Sequence, residues 1–334
     1  MPRLAAFSIV VPTYNRARML RTALKTVQWQ GFEDWECLVT DDGSRDDTPE
    51  VTKAFAADPR FKIERLAKNQ GMNAARNAAL AKATGRFVTF LDSDDLWLPN
   101  RLEAFHRRSQ EAPGAGFLFS NAYLWRFDRV VGLLFDPKRE LPEGKVPGHY
   151  ALGEKHLPYV TTNVTVSREA LNRAGGFDVK LTTDTDLWAK IIAGGAPVAA
   201  IREPLAIRRT HGGQLSSKYA SNYDELMTAV ELASSDEATR RRLREDMVFE
   251  VATYLIKAAQ PEAARKFMLD KLGDSARGTN LFKLTYVPAG ALRLGRGVRE
   301  AWLRARHAPA FASRETREAT ALITPLLAAE EPEA

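Results

Sequence analysis

The chain has 334 residues, of which 45% are hydrophobic, and this excludes a disordered protein while allowing one large domain with an appendage, or two domains. Its one cysteine, Cys37, excludes an internal disulfide and a cysteine-based metal cluster, which favours a cytoplasmic setting. The net charge of +6 equals the excess between residues 276 and 307, where seven basic residues accompany one acid. We expect neither a signal peptide nor a membrane-spanning helix, because every apolar run is too short.

Strand and helix patterns alternate through the first half of the chain. In chain order they predict a strand at 7–11, a helix at 17–27, strands at 35–40 and 61–66, a helix at 74–83, a strand at 86–91, a helix at 99–111 and a strand at 116–120. Such alternation is typical of an α/β fold with a mostly parallel sheet that helices cover on both faces.

The pattern changes along the second half. Residues 128–158 are predicted to be strand edges and loops, followed by a strand at 161–166 and helices at 168–174 and 184–193. Helix-forming residues dominate from about Ser221 onward. We therefore predict a domain at 1–218, a helical region at 219–324 and a flexible tail at 325–334.

Polar clusters follow three of the predicted strands. They are Thr13-Tyr14-Asn15, Asp41-Asp42-Gly43-Ser44 and Asp92-Ser93-Asp94-Asp95. Ligands of open α/β folds bind outside the carboxyl ends of the strands, so we expect the three clusters to line one crevice.

The third cluster contains an Asp-x-Asp pattern. Crowded carboxylates repel one another unless a cation neutralises them, and Mg²⁺ or Mn²⁺ prefers oxygen ligands. The alternative is a solvated turn before a helix, where aspartate is also favoured. Neither GxGxxG nor GxxxxGK[ST] occurs at the required place, so we expect a metal rather than a glycine-rich loop to bind phosphate.

The first two clusters suggest nucleotide contacts. Asp41 could accept a hydrogen bond from a nucleobase, or its DDGS segment could be an ordinary turn. Tyr14 could lie against the base, or it could be a core aromatic.

Six segments, taken in order and spacing, resemble the inverting family 2 glycosyltransferases, which have the GT-A fold. They are SIVVPTYNRARML (8–20), LVTDDGSRDDT (38–48), NQGMNAARNAAL (69–80), GRFVTFLDSDDLW (85–97), AGGFD (174–178) and TDLW (185–188). The resemblance covers about the first 215 residues and does not extend to the C-terminal third. It implies that the domain at 1–218 is a catalytic domain that binds a nucleotide-sugar.

The resemblance also implies roles for individual residues. Asp94 is expected to bind the metal, with His211 beside the metal or the diphosphate, although a lone histidine is more often structural. Arg76 is expected beside the nucleotide, with a solvated helix charge as the alternative. The residues expected to bind the sugar donor are Pro12, Thr13, Tyr14, Asn15, Asp41, Arg76, Asp92 and Ser93.

The general base of the resembled family comes from a Glu-Asp pair before a helix. Here the corresponding residues are Thr183 and Asp184, so the glutamate is missing and Asp184 is the candidate catalytic base. Asp184 could instead only cap the helix, and Asp186 is then the next candidate.

The resemblance implies metal-dependent, inverting transfer from a nucleotide-sugar, by default a UDP-sugar, to a hydroxyl of a carbohydrate or lipid-linked acceptor in polysaccharide or glycolipid synthesis. The expected cofactor is Mn²⁺ or Mg²⁺. A nucleotidyltransferase is a rival of the same fold, but its glycine-rich activating loop is absent. A non-catalytic nucleotide-sugar-binding protein is the second rival, and Thr183 is the residue that favours it.

The segment 281–306 mixes basic with apolar residues. It could lie on an anionic membrane surface at the cytoplasmic face, cap the catalytic domain, or form a homo-oligomer contact. We expect no nucleic-acid partner. Pro288, Gly290, Gly295 and Gly297 are expected to interrupt any long helix here.

Overall fold

The computed structural model describes residues 5–152, 157–210, 223–306 and 313–328, without the side chains of 300, 302–306, 315, 326 and 328. The strands are β1 (Phe7–Thr13), β2 (Trp35–Asp41), β3 (Phe61–Arg65), β4 (Phe87–Phe90), β5 (Leu96–Trp97), β6 (Phe117–Arg126), β7 (Arg129–Leu133), β8 (Val164–Ser167) and β9 (Val198–Arg209). Within the described ranges they form one nine-stranded sheet in the order β3-β2-β1-β4-β8-β6-β9-β5, with β7 paired to β6.

Helices cover both faces of this sheet and continue beyond it. They are α1 (Ala17–Gln28), α2 (Thr48–Phe55), α3 (Met72–Lys82), α4 (Arg101–Glu111), α5 (Arg168–Ala174), α6 (Thr185–Ala193), α7 (Tyr223–Ala233), α8 (Glu237–Lys257), α9 (Pro261–Leu272), α10 (Asn280–Leu284), α11 (Ala289–Arg306) and α12 (Arg314–Ala328).

The sheet is parallel from β1 to β4 and mixed beyond. β1 pairs in parallel with β2 and β4, and β2 with β3, as the alternating pattern predicts. β6 and β9 are also parallel, whereas β8 runs antiparallel to both β4 and β6, and β5 antiparallel to β9. Strands as short as β5 and β8 carry too few residues for a sequence pattern to indicate their direction.

The central strands are buried on both faces, which explains why apolar residues predominate in them. In β1, Ile9 and Val11 face a core formed with α1, α2 and α4. Val10 faces the opposite core, which includes side chains of α3, α5, α6 and α7. Because β1 runs parallel to β2 and β4, the carboxyl ends of these three strands lie at one edge of the sheet.

The C-terminal helices pack directly on the α/β part. Leu243 and Met247 of α8 belong to the core on the α6 face of the sheet. Val248 and Val251 of the same helix belong to a separate cluster with α9 and α10. The boundary predicted near residue 218 lies outside the described residues.

Two expectations for the C-terminal region need correction. α11 is one helix of 18 residues, because Pro288 directly precedes it and the three glycines are tolerated within it. Residues 325–328, assigned to a flexible tail, are the last turn of α12, and Leu327 packs against the cluster around Val130.

Candidate active site

The ends of β1 and β2 present two buried oxygen atoms. Thr13 lies opposite Asp41 in the parallel pairing. Among the described residues, Thr13 Oγ1 and Asp41 Oδ2 are buried without a hydrogen-bond partner, and the half-exposed Arg65 places Nε 3.3 Å from Asp41 Oδ2. Because buried polar atoms are nearly always hydrogen-bonded, both oxygens are candidate ligand contacts, and a nucleobase would reach Asp41 by displacing Arg65.

Asp42 has no predicted role, yet it organises the neighbouring loop. Its two carboxylate oxygens accept hydrogen bonds from the backbone of Gln70 at 2.7 Å and Gly71 at 2.8 Å. The turn itself needs Gly43, whose φ is +74° and where a Cβ would lie 2.9 Å from the carbonyl carbon of Lys68. The DDGS segment therefore fixes the start of α3.

The loop after β1 is tied to the loop after β2. Asn15 has a φ of 50°; its backbone N–H donates to Ser44 Oγ at 2.8 Å, and its side-chain oxygen accepts from the backbone of Arg45 at 2.7 Å. Pro12 is buried within β1. Tyr14 is 38% exposed, so it is not a core aromatic and its ring is accessible to a ligand.

The acidic turn, residues 92–95, connects β4 to β5. Carboxylate oxygens of Asp92, Asp94 and Asp95 lie within 4.8 Å of one another. Ser93, which follows Asp92 in the sequence, is buried. Asp95 Oδ1 accepts a hydrogen bond from the backbone of Arg209 at 2.9 Å, which joins the turn to the end of β9. The turn is therefore a fixed part of the fold rather than a solvated loop.

Crowding affects the protonation of this turn. Burial raises the pKa of Asp92, an effect that Arg76 opposes and that Asp94 and Asp184 increase. Burial, together with the charges of Asp94 and Asp92, raises the pKa of Asp95 well above its ordinary value. A bound cation would relieve this repulsion.

Arg76 joins the acidic turn to the candidate base. Its side chain is 1% exposed, with Nη2 2.9 Å from Asp92 Oδ1 and Nη1 3.9 Å from Asp184 Oδ2. The guanidinium also lies 5.1 Å from the centre of the Phe177 ring. Such burial excludes a solvated helix charge and makes Arg76 part of the site.

Asp184 directly precedes α6, but its side chain does not cap the helix. Instead, the hydroxyl of Thr161 donates a hydrogen bond to Asp184 Oδ2. Asp186 is buried and pairs with Lys190 at 2.8 Å, one turn along α6. Of the two aspartates, Asp184 is therefore the one that the described contacts join to Arg76.

The loop before Asp184 is held by Asn73 of α3. Its Nδ2 donates to the backbone carbonyls of Asp178 at 3.1 Å, Leu181 at 3.0 Å and Thr183 at 2.8 Å. This polar residue, three positions before Arg76, thus positions the loop that presents Asp184. Its role depends on a partner about a hundred residues away, which no local pattern reveals.

Arg16 is a site residue that sequence reasoning missed. Its Nη1 lies 2.7 Å from Asp94 Oδ2, and the side chain is 23% exposed. The PTYNR segment places it at the start of α1, but only the fold brings it to a carboxylate 78 positions away. His211, the second predicted metal ligand, lies outside the described residues.

Comparison with known proteins assigns the N-terminal part of the chain to a family model. Residues 8–123 match the model of the family described as Glycosyl transferase family 2. The chain is 34% identical over 132 residues to the Escherichia coli UDP-Glc:alpha-D-GlcNAc-diphosphoundecaprenol beta-1,3-glucosyltransferase WfgD, which covers 40% of this chain and 51% of that protein. Across the first three curated relatives it matches, the chain covers between 33% and 51% of their length.

Solved structures agree on the fold. Staphylococcus aureus TarS 1-349 in complex with UDP gives a TM-score of 0.59 at 18% identity, over 90% of this chain and 91% of that one. The mannosyltransferase PcManGT from Pyrobaculum calidifontis, in complex with GDP-Man and Mn²⁺, gives 0.53 at 20% identity, over 98% and 86%. The chain has the GT-A fold, and residues 8–123 form a glycosyl transferase family 2 domain.

Proposed function

We propose that this protein is a metal-dependent, inverting glycosyltransferase that moves a sugar from a nucleotide-sugar to an acceptor hydroxyl in polysaccharide or glycolipid synthesis. The observation that carries the proposal is the convergence of Asp184, Arg76 and the acidic turn in one site. A UDP-sugar is the first sugar donor to test, since WfgD is named for UDP-Glc and TarS binds UDP. GDP-mannose is the second, because PcManGT binds it.

The residues of the acidic turn suit a divalent cation. Three carboxylates within 4.8 Å offer the hard oxygen ligands that Mn²⁺ and Mg²⁺ prefer, and repulsion among them favours a cation. Asp94 is the proposed ligand, with Asp92 and Ser93 beside the sugar donor. When bound, the cation neutralises the charge that develops on the leaving diphosphate. Arg16, now paired with Asp94, is placed to pair with phosphate oxygens instead.

The proposed chemistry is a single displacement. Asp184 accepts the proton of the acceptor hydroxyl, whose oxygen forms a bond to the anomeric carbon. The bond from that carbon to the diphosphate oxygen breaks, and its electron pair leaves with the nucleotide, so configuration inverts. Arg76 offsets the repulsion between Asp92 and Asp184, which lie in one site.

Calorimetric titration with UDP, GDP and dTDP, each with and without Mn²⁺, tests the site. We expect one nucleotide to bind tightly only with metal, and Asp94→Ala to lose that binding. Asp184→Asn should bind as the wild type does but abolish turnover. If Asp184→Asn retains turnover, Asp184 is not the base. If the wild type binds a nucleotide but transfers from no sugar donor, the non-catalytic binding protein replaces the enzyme.

The acceptor is proposed to be a lipid-linked saccharide, because WfgD is named for a GlcNAc-diphosphoundecaprenol acceptor. We further propose that α11 contacts an anionic membrane at the cytoplasmic face. None of the described helices has the length and hydropathy needed to cross a bilayer. On α11, Leu294 is 72% and Val298 62% exposed, beside the exposed Arg293, Arg296 and Arg299. Apolar side chains among arginines suit a headgroup surface.

Co-sedimentation with vesicles of phosphatidylcholine alone, or with added phosphatidylglycerol, tests this contact. We expect binding only to the anionic vesicles, and its loss when Arg293, Arg296 and Arg299 are all changed to glutamine. A matched control changes Arg241 and Arg242, two exposed arginines of α8, in the same way. Equal vesicle binding by both variants would refute the contact. If the wild type instead forms a concentration-dependent dimer and the triple variant is monomeric, α11 is an oligomer interface.

A further inference from the structure

The two carboxylate oxygens of Asp184 have different surroundings. The Thr161 hydroxyl donates a hydrogen bond to Oδ2, and Arg76 Nη1 lies 3.9 Å from the same oxygen. Within the described part of the chain, no hydrogen bond reaches Oδ1. The Asp184 side chain is 21% exposed, so Oδ1 is open to a ligand. The protein thus restrains one oxygen and leaves the other available.

The hydroxyl of Thr161 is itself held by a rigid turn. Residues 161–163 form a short 3₁₀ helix in which Thr162 and Asn163 are fully buried. Asn163 Oδ1 accepts from the backbone of Val160 at 2.9 Å, and its Nδ2 donates to the carbonyl of Ser120 on β6. A buried asparagine that is bonded through both side-chain groups restricts the orientation of the turn.

The turn is also bonded to the strand that follows the acidic turn. Trp97 of β5 is 1% exposed, and its indole N–H donates to the carbonyl of Thr162 at 3.0 Å. Trp97 comes two residues after Asp95. The side of the site that holds the sugar donor and the side that holds the base therefore share one buried support.

We propose that Thr161 is a positioning residue for catalysis, which holds Oδ2 of Asp184 so that Oδ1 receives the acceptor proton. This inference rests on the proposed function. In the step, the acceptor O–H bond breaks, its proton joins Oδ1, and its oxygen forms the glycosidic bond as the bond to diphosphate breaks. A base held by a hydrogen bond keeps the geometry for proton transfer without reorganising during the reaction.

Neighbouring threonines supply a matched test. Thr161→Val removes the hydroxyl at nearly constant volume, and Thr161→Ser keeps it. Thr162→Val is the control on the same turn, because the Thr162 hydroxyl is buried without a hydrogen-bond partner among the described residues. Turnover is measured as nucleotide release from UDP-glucose, UDP-GlcNAc or GDP-mannose with Mn²⁺ and GlcNAc-diphosphoundecaprenol. UDP and GDP affinities are measured by calorimetry.

We expect kcat of Thr161→Val to fall on the order of 10- to 100-fold, the range for losing a hydrogen bond to a charged group. Nucleotide affinity and the acceptor KM should change less than about twofold, since neither depends on the orientation of Asp184 Oδ1. Thr161→Ser should keep kcat within about threefold of the wild type, and so should Thr162→Val.

Several outcomes would overturn the inference. One is a kcat of Thr161→Val equal to that of the wild type. Another is a fall of kcat in Thr162→Val as large as that in Thr161→Val, which would indicate a general effect on the turn. If Thr161→Val does not fold, a tenfold loss in the folded Thr161→Ser would do the same. Failure of the proposed function differs, because then neither the wild type nor Thr161→Ser releases nucleotide from any of the three sugar donors, and the inference fails with it.

Discussion

Glu36 is a buried carboxylate near the start of β2, and we predict that Glu36→Gln makes the stability of the fold less sensitive to acid. Glu36 Oε1 accepts hydrogen bonds from Ser8 Oγ at 2.6 Å and from the backbone and hydroxyl of Thr84 at 2.6 and 2.8 Å. Its Oε2 lies 2.5 Å from Lys62 Nζ. One carboxylate thus connects β1, β2, β3 and the turn before β4.

The pKa of Glu36 gives the size of the effect. Burial alone would raise this pKa, but hydrogen bonds from Lys62, Ser8 and Thr84 together lower it from 4.5 to about 2. A pKa difference of about 2.5 corresponds to about 3 kcal/mol, at roughly 1.36 kcal/mol for each pKa unit. Because the folded pKa is the lower one, this stabilisation is complete above the unfolded pKa and is lost as the pH falls toward about 2, with about 2 kcal/mol lost between pH 7 and pH 3.

Urea unfolding, followed by tryptophan fluorescence from pH 7 to pH 3, measures the effect. The difference in unfolding free energy between the wild type and Glu36→Gln should shrink by about 2 kcal/mol across this range. Glu50→Gln, an exposed acid on α2, controls for general loss of charge and should show no such change. A wild-type advantage that is the same at both pH values would refute the reasoning.

Three further substitutions test the site and its scaffold. Asn73→Ala removes three hydrogen bonds to the loop before α6, so steady-state kinetics should show kcat reduced by about tenfold or more, with nucleotide affinity nearly unchanged by calorimetry. Arg76→Lys keeps the charge but loses the planar fork that reaches both Asp92 and Asp184, and we expect at least about a tenfold loss of kcat. Gly43→Ala should lower the unfolding free energy by about 1–3 kcal/mol in urea, because its φ of +74° and the nearby backbone exclude a side chain.

Each of these expectations has a contradicting result, and two of them have a control variant. Asn100→Ala removes a side chain that caps nothing at the start of α4 and should leave kcat unchanged, so an equal loss in both asparagine variants would contradict the role of Asn73. Full activity of Arg76→Lys would contradict the role of the guanidinium fork, because a positive charge at this position would then be sufficient for catalysis. Gly114→Ala, where a Cβ meets open space, is the reference for Gly43→Ala, and equal stability of the two variants would contradict the steric argument.

The parts of the site that follow strands were predictable from the sequence. Apolar residues predominate in β1, β2 and β4 because these strands are buried on both faces, and the polar residues after them mark the carboxyl edge of the sheet. The sequence pattern is therefore sufficient to place Thr13, Asp41 and Asp92 at one edge. Their roles in binding stay predictions.

The parts of the site that depend on distant pairs were not predictable. The partners in Arg16–Asp94 and Asn73–Thr183 are 78 and 110 positions apart, and neither pair belongs to a periodic pattern. β5 consists of two residues, too few for alternation to appear, yet it carries Trp97. The length of α11 was not predictable from its composition, because glycine lowers helix propensity without ending the helix and a proline directly before a helix does not interrupt it.

Helix α8 sets a limit on how this protein could exchange parts with its relatives. Over 21 residues it contributes Leu243 and Met247 to the core of the sheet and Val251 and Leu255 to the helical cluster. A chimera joined between the sheet and α7 would separate side chains that are buried together and leave an apolar face on each half. A junction beyond α10 keeps both the core of the sheet and the buried cluster of α8, α9 and α10 whole, so the recombinable unit of this chain is longer than its strands and ends within the helical region.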